Sequence, residues 1–249
     1  MEHRISGTTM PVLEMDLQPG ESIISEAGEL SWMTSTIELA TSTQFGGGGG
    51  VFGAFKRAAG GNSLFMNQYT AKGGPGSVSF AARLPGTIHP VEVRNGAEFM
   101  IHRHGFLCST PGIQLSIGFQ QSLGAGIFGG EGFRLTHLSG DGTAFIELSG
   151  EVVTYDLDRG ETLRVHPGHV GMFDRSVSFE ITRIKGIKNM IFGADGIFLA
   201  ALTGPGKVWL QSLTLSNLAH ALQPYLTVTE ATGVGAGAIA GGILKGLTK

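Results

Sequence analysis

Cysteine is almost missing from this chain: Cys108 is the single one in 249 residues. No disulfide can form within the chain, which fits a reducing compartment. Charge is scarce as well. Asp, Glu, Lys and Arg make up 15% of the residues, against about 25% in typical domains. A chain so poor in charge is expected to cover part of its surface by self-association. The net charge is -3 and no long basic run occurs. That speaks against a nucleic-acid partner, since Lys and Arg must neutralise the phosphates. No apolar run reaches the roughly 18 residues that a transmembrane helix needs. Met1–Gly7 carries no apolar signal core, so a cytoplasmic protein is expected. The sequence also lacks G-x-x-x-x-G-K-[ST], H-E-x-x-H and G-x-S-x-G, which removes the commonest phosphate-loop, zinc-protease and serine-hydrolase signatures.

Glycine is what the chain has in excess. Its 41 glycines are about twice the usual share. They stand between apolar runs, the composition of many short strands joined by tight turns. Hydrophobic residues at 41% suffice for a sizeable core.

The turns recur. Ala71-Lys72-Gly73-Gly74-Pro75-Gly76-Ser77-Val78, Leu138-Ser139-Gly140-Asp141-Gly142-Thr143-Ala144 and Leu202-Thr203-Gly204-Pro205-Gly206-Lys207-Val208 each read as two strands around a glycine-flanked turn. The last glycines, Gly76, Gly142 and Gly206, are 66 and 64 residues apart. A near-constant interval is the mark of a repeat. Other markers keep step. Glu21, Glu98 and Glu161 each follow a turn, and Gly28, Gly105 and Gly168 come seven residues later. Alternating segments follow: Ile37-x-Leu39, Ile113-x-Leu115-x-Ile117 and Val177-x-Phe179-x-Ile181, the strand period. Val51-Phe52-Gly53, Ile127-Phe128-Gly129 and Ile191-Phe192-Gly193 align too. The expectation is an all-β domain over 1–216, built of three tandem β repeats (11–86, 87–150, 151–216) in a pseudo-threefold arrangement. Ile197–Leu202 is apolar on both faces, which predicts burial on both. Beyond it, Leu215, Leu218, Ala219 and Leu222 have helical spacing, with Ser216 as N-cap and Pro224 as stop. The short helix and a Gly-rich tail fill 217–249.

Several groups invite a chemical reading. Gly48–Gly53 and Gly124–Gly129 match the dinucleotide fingerprint G-x-G-x-x-G. Neither has the helix–strand sequel that nucleotide binding requires, and both occupy one repeat position, so they read as a shared loop. His102-x-His104 places two imidazoles at strand spacing, where they share a face and offer a candidate metal pair. That spacing resembles the first cupin motif, but Cys108 and Ser109 stand where its carboxylate ligand belongs. Cys108 could act as a nucleophile beside His104, although a lone Cys is more often a small buried hydrophobe. The repeated Glu21, Glu98 and Glu161 point to a structural role at strand starts. Phe52, Phe128 and Phe192 mark a candidate loop face, because rigid β scaffolds carry function on loops. No cofactor is expected.

Four stretches together carry a family resemblance: Glu26–Met33, Gly61–Asn67, Gly86–Val91 and Leu202–Ser212. On these, the chain to about Leu218 resembles the altered-inheritance-of-mitochondria protein twenty-four family. The resemblance implies a fold like that of the tryptophan RNA-binding attenuator protein, of β-sandwich or double-stranded β-helix type, triplicated in one chain. It implies no catalytic residues. Mitochondrial members are linked to inner-membrane organisation, and no mitochondrial presequence is read here. The attenuator protein's RNA and tryptophan sites are not matched by any Lys and Arg run. The functional expectation is a non-enzymatic, self-associating assembly or binding scaffold. The alternatives are a cupin-like small-ligand or metal-binding protein, its ligand unknown, and a protein in peripheral membrane contact through its tail and the Gly46–Gly50 loop.

Overall fold

The structure, a computed structural model, describes residues 1–41, 66–121, 132–183 and 198–225. The candidate loop residues Phe52, Phe128 and Phe192, both G-x-G-x-x-G segments and the Gly-rich tail lie outside them. Met1–Ser216 is one compact unit, and the described segment that follows is separate. Almost all regular structure is β-strand. No helix among the described residues is long and apolar enough to cross a membrane.

After β1 (Glu2–Ser6), the strands come in three sets of six. The first set is β2 (Val12–Leu17), β3 (Ser22–Glu26), β4 (Trp32–Met33), β5 (Ile37–Thr41), β6 (Met66–Ala71) and β7 (Gly76–Ala81). The second is β8 (Gly86–Val93), β9 (Phe99–His102), β10 (Phe106–Ser109), β11 (Ile113–Gln121), β12 (Phe133–Gly140) and β13 (Gly142–Ser149). The third is β14 (Val152–Leu157), β15 (Thr162–Val165), β16 (Val170–Asp174), β17 (Ser178–Arg183), β18 (Phe198–Thr203) and β19 (Gly206–Gln211). Helix α1 (Leu215–Leu222) follows. It begins one residue before Ser216, the expected N-cap, and Thr214 precedes it.

Every set pairs in the same way. Its first and third strands flank its sixth, and its second and fourth flank its fifth, all antiparallel. Two further ladders join the sets: β10 to β3 and β16 to β9. Four sheets result, ordered β1-β2-β7-β4, β5-β6-β3-β10-β13-β8, β11-β12-β9-β16-β19-β14 and β15-β18-β17. Each six-stranded sheet is shared by consecutive sets. Among the described residues no ladder joins the third set back to the first.

The turn glycines hold their place for a steric reason. Gly142 and Gly206 sit at φ +146° and +143°, where an L side chain is strained. A Cβ on Gly142 would run into Thr110 Oγ1, and one on Gly206 would come within 2.7 Å of Ser176 Oγ. Each glycine lies under the turn that enters its set's fourth strand.

Alternation along the sixth strand divides the core. Val78 and Phe80 face the core of the first set, Ala144 and Ile146 that of the second, and Val208 that of the third. Residues between them point the other way: Phe145 enters the first set's core and Trp209 packs on the second's, as the period of two demands. The first two cores are therefore completed by the following set. β18 departs from the expected double burial. Ala200 and Leu202 are buried, but Leu199 and Ala201, which alternate with them, are only half-buried, because β18 lies in the terminal sheet. Leu39 is exposed for a related reason, since β5 is an edge strand.

Candidate functional site

Among the described residues, a cluster of interacting charges lies where the first set meets the second. Arg83, in the linker between β7 and β8, is its centre. Its Nη1 donates to Glu29 Oε1 at 2.9 Å and its Nε to Glu147 Oε2 at 3.3 Å, while Nη2 donates to the His104 carbonyl. Glu147 Oε1 also accepts the backbone N–H groups of Arg83 and Leu84, at 2.9 and 3.1 Å. Both carboxylates are almost fully buried. Such pairs are strongly destabilising when one partner is lost. One guanidinium thus ties the β3–β4 turn, the linker and β13 together.

Burial pushes the Glu29 carboxyl up, and Arg83 partly offsets the shift. Glu26, at the end of β3, is displaced further. Enclosure raises it to about 7, with the Glu29 charge adding to the effect and Arg83, Arg134 and Arg103 opposing it. Desolvation and a like charge both favour the neutral acid. A carboxyl titrating near neutrality is common at functional sites.

His102, one of the two candidate ligands, ends β9 beside this cluster. Burial lowers it to about 4, so the ring is neutral, and Nε2 donates to the Glu147 carbonyl at 3.1 Å. His104 is not its strand neighbour: β9 stops at His102, and Arg103 and His104 form the turn to β10. The period-two relation thus does not apply to this pair. Among the described residues no three His, Cys, Asp or Glu side chains gather as a metal would require. Cys108 is buried, and that burial drives its thiol well above the ordinary range, leaving little thiolate to act as nucleophile.

The repeated glutamates divide. Glu21 Oε2 and Glu161 Oε2 accept the backbone N–H groups of Gln18 and Asp158, each at 2.9 Å, and so close the turns before β3 and β15. Glu98 instead accepts from His137 Nε2 at 2.9 Å, with Ser116 Oγ 3.4 Å from Nδ1. The Ser116–His137 contact is at the long end for a hydrogen bond.

Sequence reading missed Arg83, Glu147 and their counterpart Gln211. Five residues after each turn glycine stand Ala81, Glu147 and Gln211. Glu147 grips the linker from the first set, and Gln211 Oε1 accepts the N–H of Ser149, the last residue of β13, at 3.0 Å. The first set has no set before it, and it has alanine there. A polar residue at this position of two repeats was the available signal.

Two of the edge strands, β4 and β15, correspond to strands that form the joints. β3, β9, β10 and β16 are all interior strands, paired on both sides. β4 and β15, which hold the equivalent places at the two ends of the succession, each pair on one side only among the described residues. Equivalence follows from register: Trp32, Cys108 and Met172 pair with Ser79, Phe145 and Trp209, each three residues after its turn glycine. Cys108, Ser109, Met172 and Phe173 are at most 1% exposed, whereas Trp32 and Met33 are 51% and 37% exposed. On β15, Arg164 is exposed, while Ile24 and Ile101 at the matching positions are buried.

The family model described as mitochondrial biogenesis AIM24 matches residues 3–213. An uncharacterized protein of Streptococcus pyogenes serotype M6 is 28% identical over 225 residues, which is 88% of either chain. The X-ray crystal structure of a Streptococcus pyogenes protein is similar with a TM-score of 0.71 at 25% identity, over 90% of this chain and 99% of that one.

Proposed function

Given that the chain belongs to the AIM24 mitochondrial-biogenesis family, we propose that it is a non-enzymatic scaffold whose copies assemble head to tail through their two open sheet edges. One observation carries this reading. Among the described residues β4 and β15 pair on one side only, whereas their counterparts at the joints pair on both. An open edge is a row of free N–H and C=O groups that templates another strand. Here the chain itself provides two examples of the partner each edge accepts. Because the two edges differ, the contact is heterologous. It repeats from copy to copy until a ring closes or a filament grows. The low charge content is in keeping with this.

Cross-linking tests it. Met33→Cys and Arg164→Cys copies, mixed under mild oxidation, should give a disulfide-linked dimer, because opposed strand residues lie within reach of such a bond. Cys108 is buried and does not compete. Light scattering should show a mass above that of one 26.0 kDa chain. A single-chain mass at every concentration, with no mixed disulfide, refutes the assembly.

A further inference from the structure

The open edges say where copies would meet, and the side chains beside them say what seals the contact. We infer that Trp32 of one copy is the aromatic plug of the assembly, seated on the exposed apolar patch that Val153 and Tyr155 form on β14 of the next copy. The inference rests on the head-to-tail reading above and names the contact that fixes it.

The first support is the cross-strand pair beside each joint. Cys108 with Phe145 and Met172 with Trp209 each combine an aromatic with a non-aromatic partner, and Trp32 with Ser79 does the same in the first set. In the second and third sets the aromatic points into the core of the set before. Phe145 packs among Leu13, Met15 and Ile88, and Trp209 packs on the cluster containing Val91. Trp209 also meets Phe99 edge to face, with ring centroids 6.1 Å apart. Trp32 has no preceding set in its own chain and stands half in water.

The opposite end supplies the second support independently. The first strand of each set points alternate residues into its own core, and the following set covers the early ones. Leu13 pairs with Phe80, His89 with Ile146 and Val153 with Leu210, each four residues after the turn glycine. By the same register Met15, Val91 and Tyr155 correspond. Leu13 and Met15 are at most 2% exposed and Val91 is 7% exposed, but Val153 and Tyr155 are 52% and 42% exposed. Leu157, further along β14, is buried by its own set. The gap in cover is therefore confined to the residues that a following set would hide. One end lacks a pocket for an aromatic, and the other lacks an aromatic for its pocket. Large rings buried at the centre of an interface dominate binding. The occupant that answers both gaps is a second copy of this chain.

Complementation separates this contact from its surroundings. Trp32→Ala leaves the β14 patch intact, and Tyr155→Arg leaves Trp32 intact. Sedimentation velocity should show each variant alone weakened in self-association about 30-fold or more. An equimolar mixture has one sound contact and should form a 1:1 dimer that goes no further. In a Trp209→Phe background the Trp32 emission should shift to the blue as copies associate. Both variants change exposed side chains, and unaltered circular dichroism checks their folding. If the variants associate as wild type does while the Met33–Arg164 disulfide still forms, the plug is refuted and the edge pairing stands. If wild type stays monomeric, both fall.

Discussion

Glu26 gives the sharpest quantitative test of how this fold handles charge. Its carboxyl is raised from the ordinary 4.5 to about 7, chiefly because enclosure penalises the carboxylate. The groups facing it are Glu29, which adds to the shift, and Arg83, Arg134 and Arg103, which oppose it. In the unfolded chain the acid ionises near 4.5, while the folded chain keeps the proton until about 7. Between these values the native state binds more protons than the unfolded one, so stability falls as pH rises. Below that window the stability is fully present, and above it the loss is complete and flat. At roughly 1.4 kcal/mol per pH unit the window amounts to about 3 kcal/mol. Glu26→Gln cannot ionise. Its unfolding free energy should lack this step, so that at pH 8 it exceeds wild type by up to about 3 kcal/mol, while at pH 4 the two agree closely. Urea unfolding followed by tryptophan fluorescence at pH 4, 5, 6, 7 and 8 reads the difference directly. The thermal midpoint at pH 8 should rise by roughly 6–12 °C for a domain of this size. Parallel stability curves for wild type and variant across the whole range would refute the reasoning, since burial would then impose no charging cost on Glu26.

Four further outcomes are expected. Gly142→Ala should lose about 2 kcal/mol or more in a thermal melt, because φ +146° and the collision with Thr110 combine strain with overpacking. Gly20→Ala, at φ +89° with open space around it, should lose only about 1 kcal/mol in the same assay. Arg83→Met should cost about 2–3 kcal/mol in denaturant unfolding, since it strands the buried Glu29 and Glu147 carboxylates; the figure is set at the low end because Arg83 itself is partly exposed. Cys108 should ignore an aromatic disulfide reagent in the native protein and react fully in denaturant, as its burial and raised thiol require.

Much of the strand layout was legible in advance. The turns before Gly76, Gly142 and Gly206, the alternating strands around them and the helix near Leu215 all follow from short-range chemistry. The glutamates after turns were legible as structural for Glu21 and Glu161, whose carboxylates close the turns they follow. Glu98 departs because His137 lies across the sheet from it, a neighbour no local pattern specifies. The His102 and His104 pairing rested on strand period, and β9 ends at His102, two residues short of His104. Arg83 and Glu147 are 64 residues apart in sequence, and nothing local announces that they meet.

What the sequence determined by itself is the menu of elements. Glycine and proline set the turns through backbone angles, and a period of two marks the strands, so both can be read within a window of a few residues. What only the tertiary structure decided is adjacency. Whether a strand is interior like β10 or open like β4, and whether an aromatic is covered like Phe145 or bare like Trp32, depends on which other strands lie beside it. Burial is a property of neighbours drawn from distant parts of the chain. The two ends of the succession keep the register of its joints, and only the fold shows that, among the described residues, they pair on one side alone.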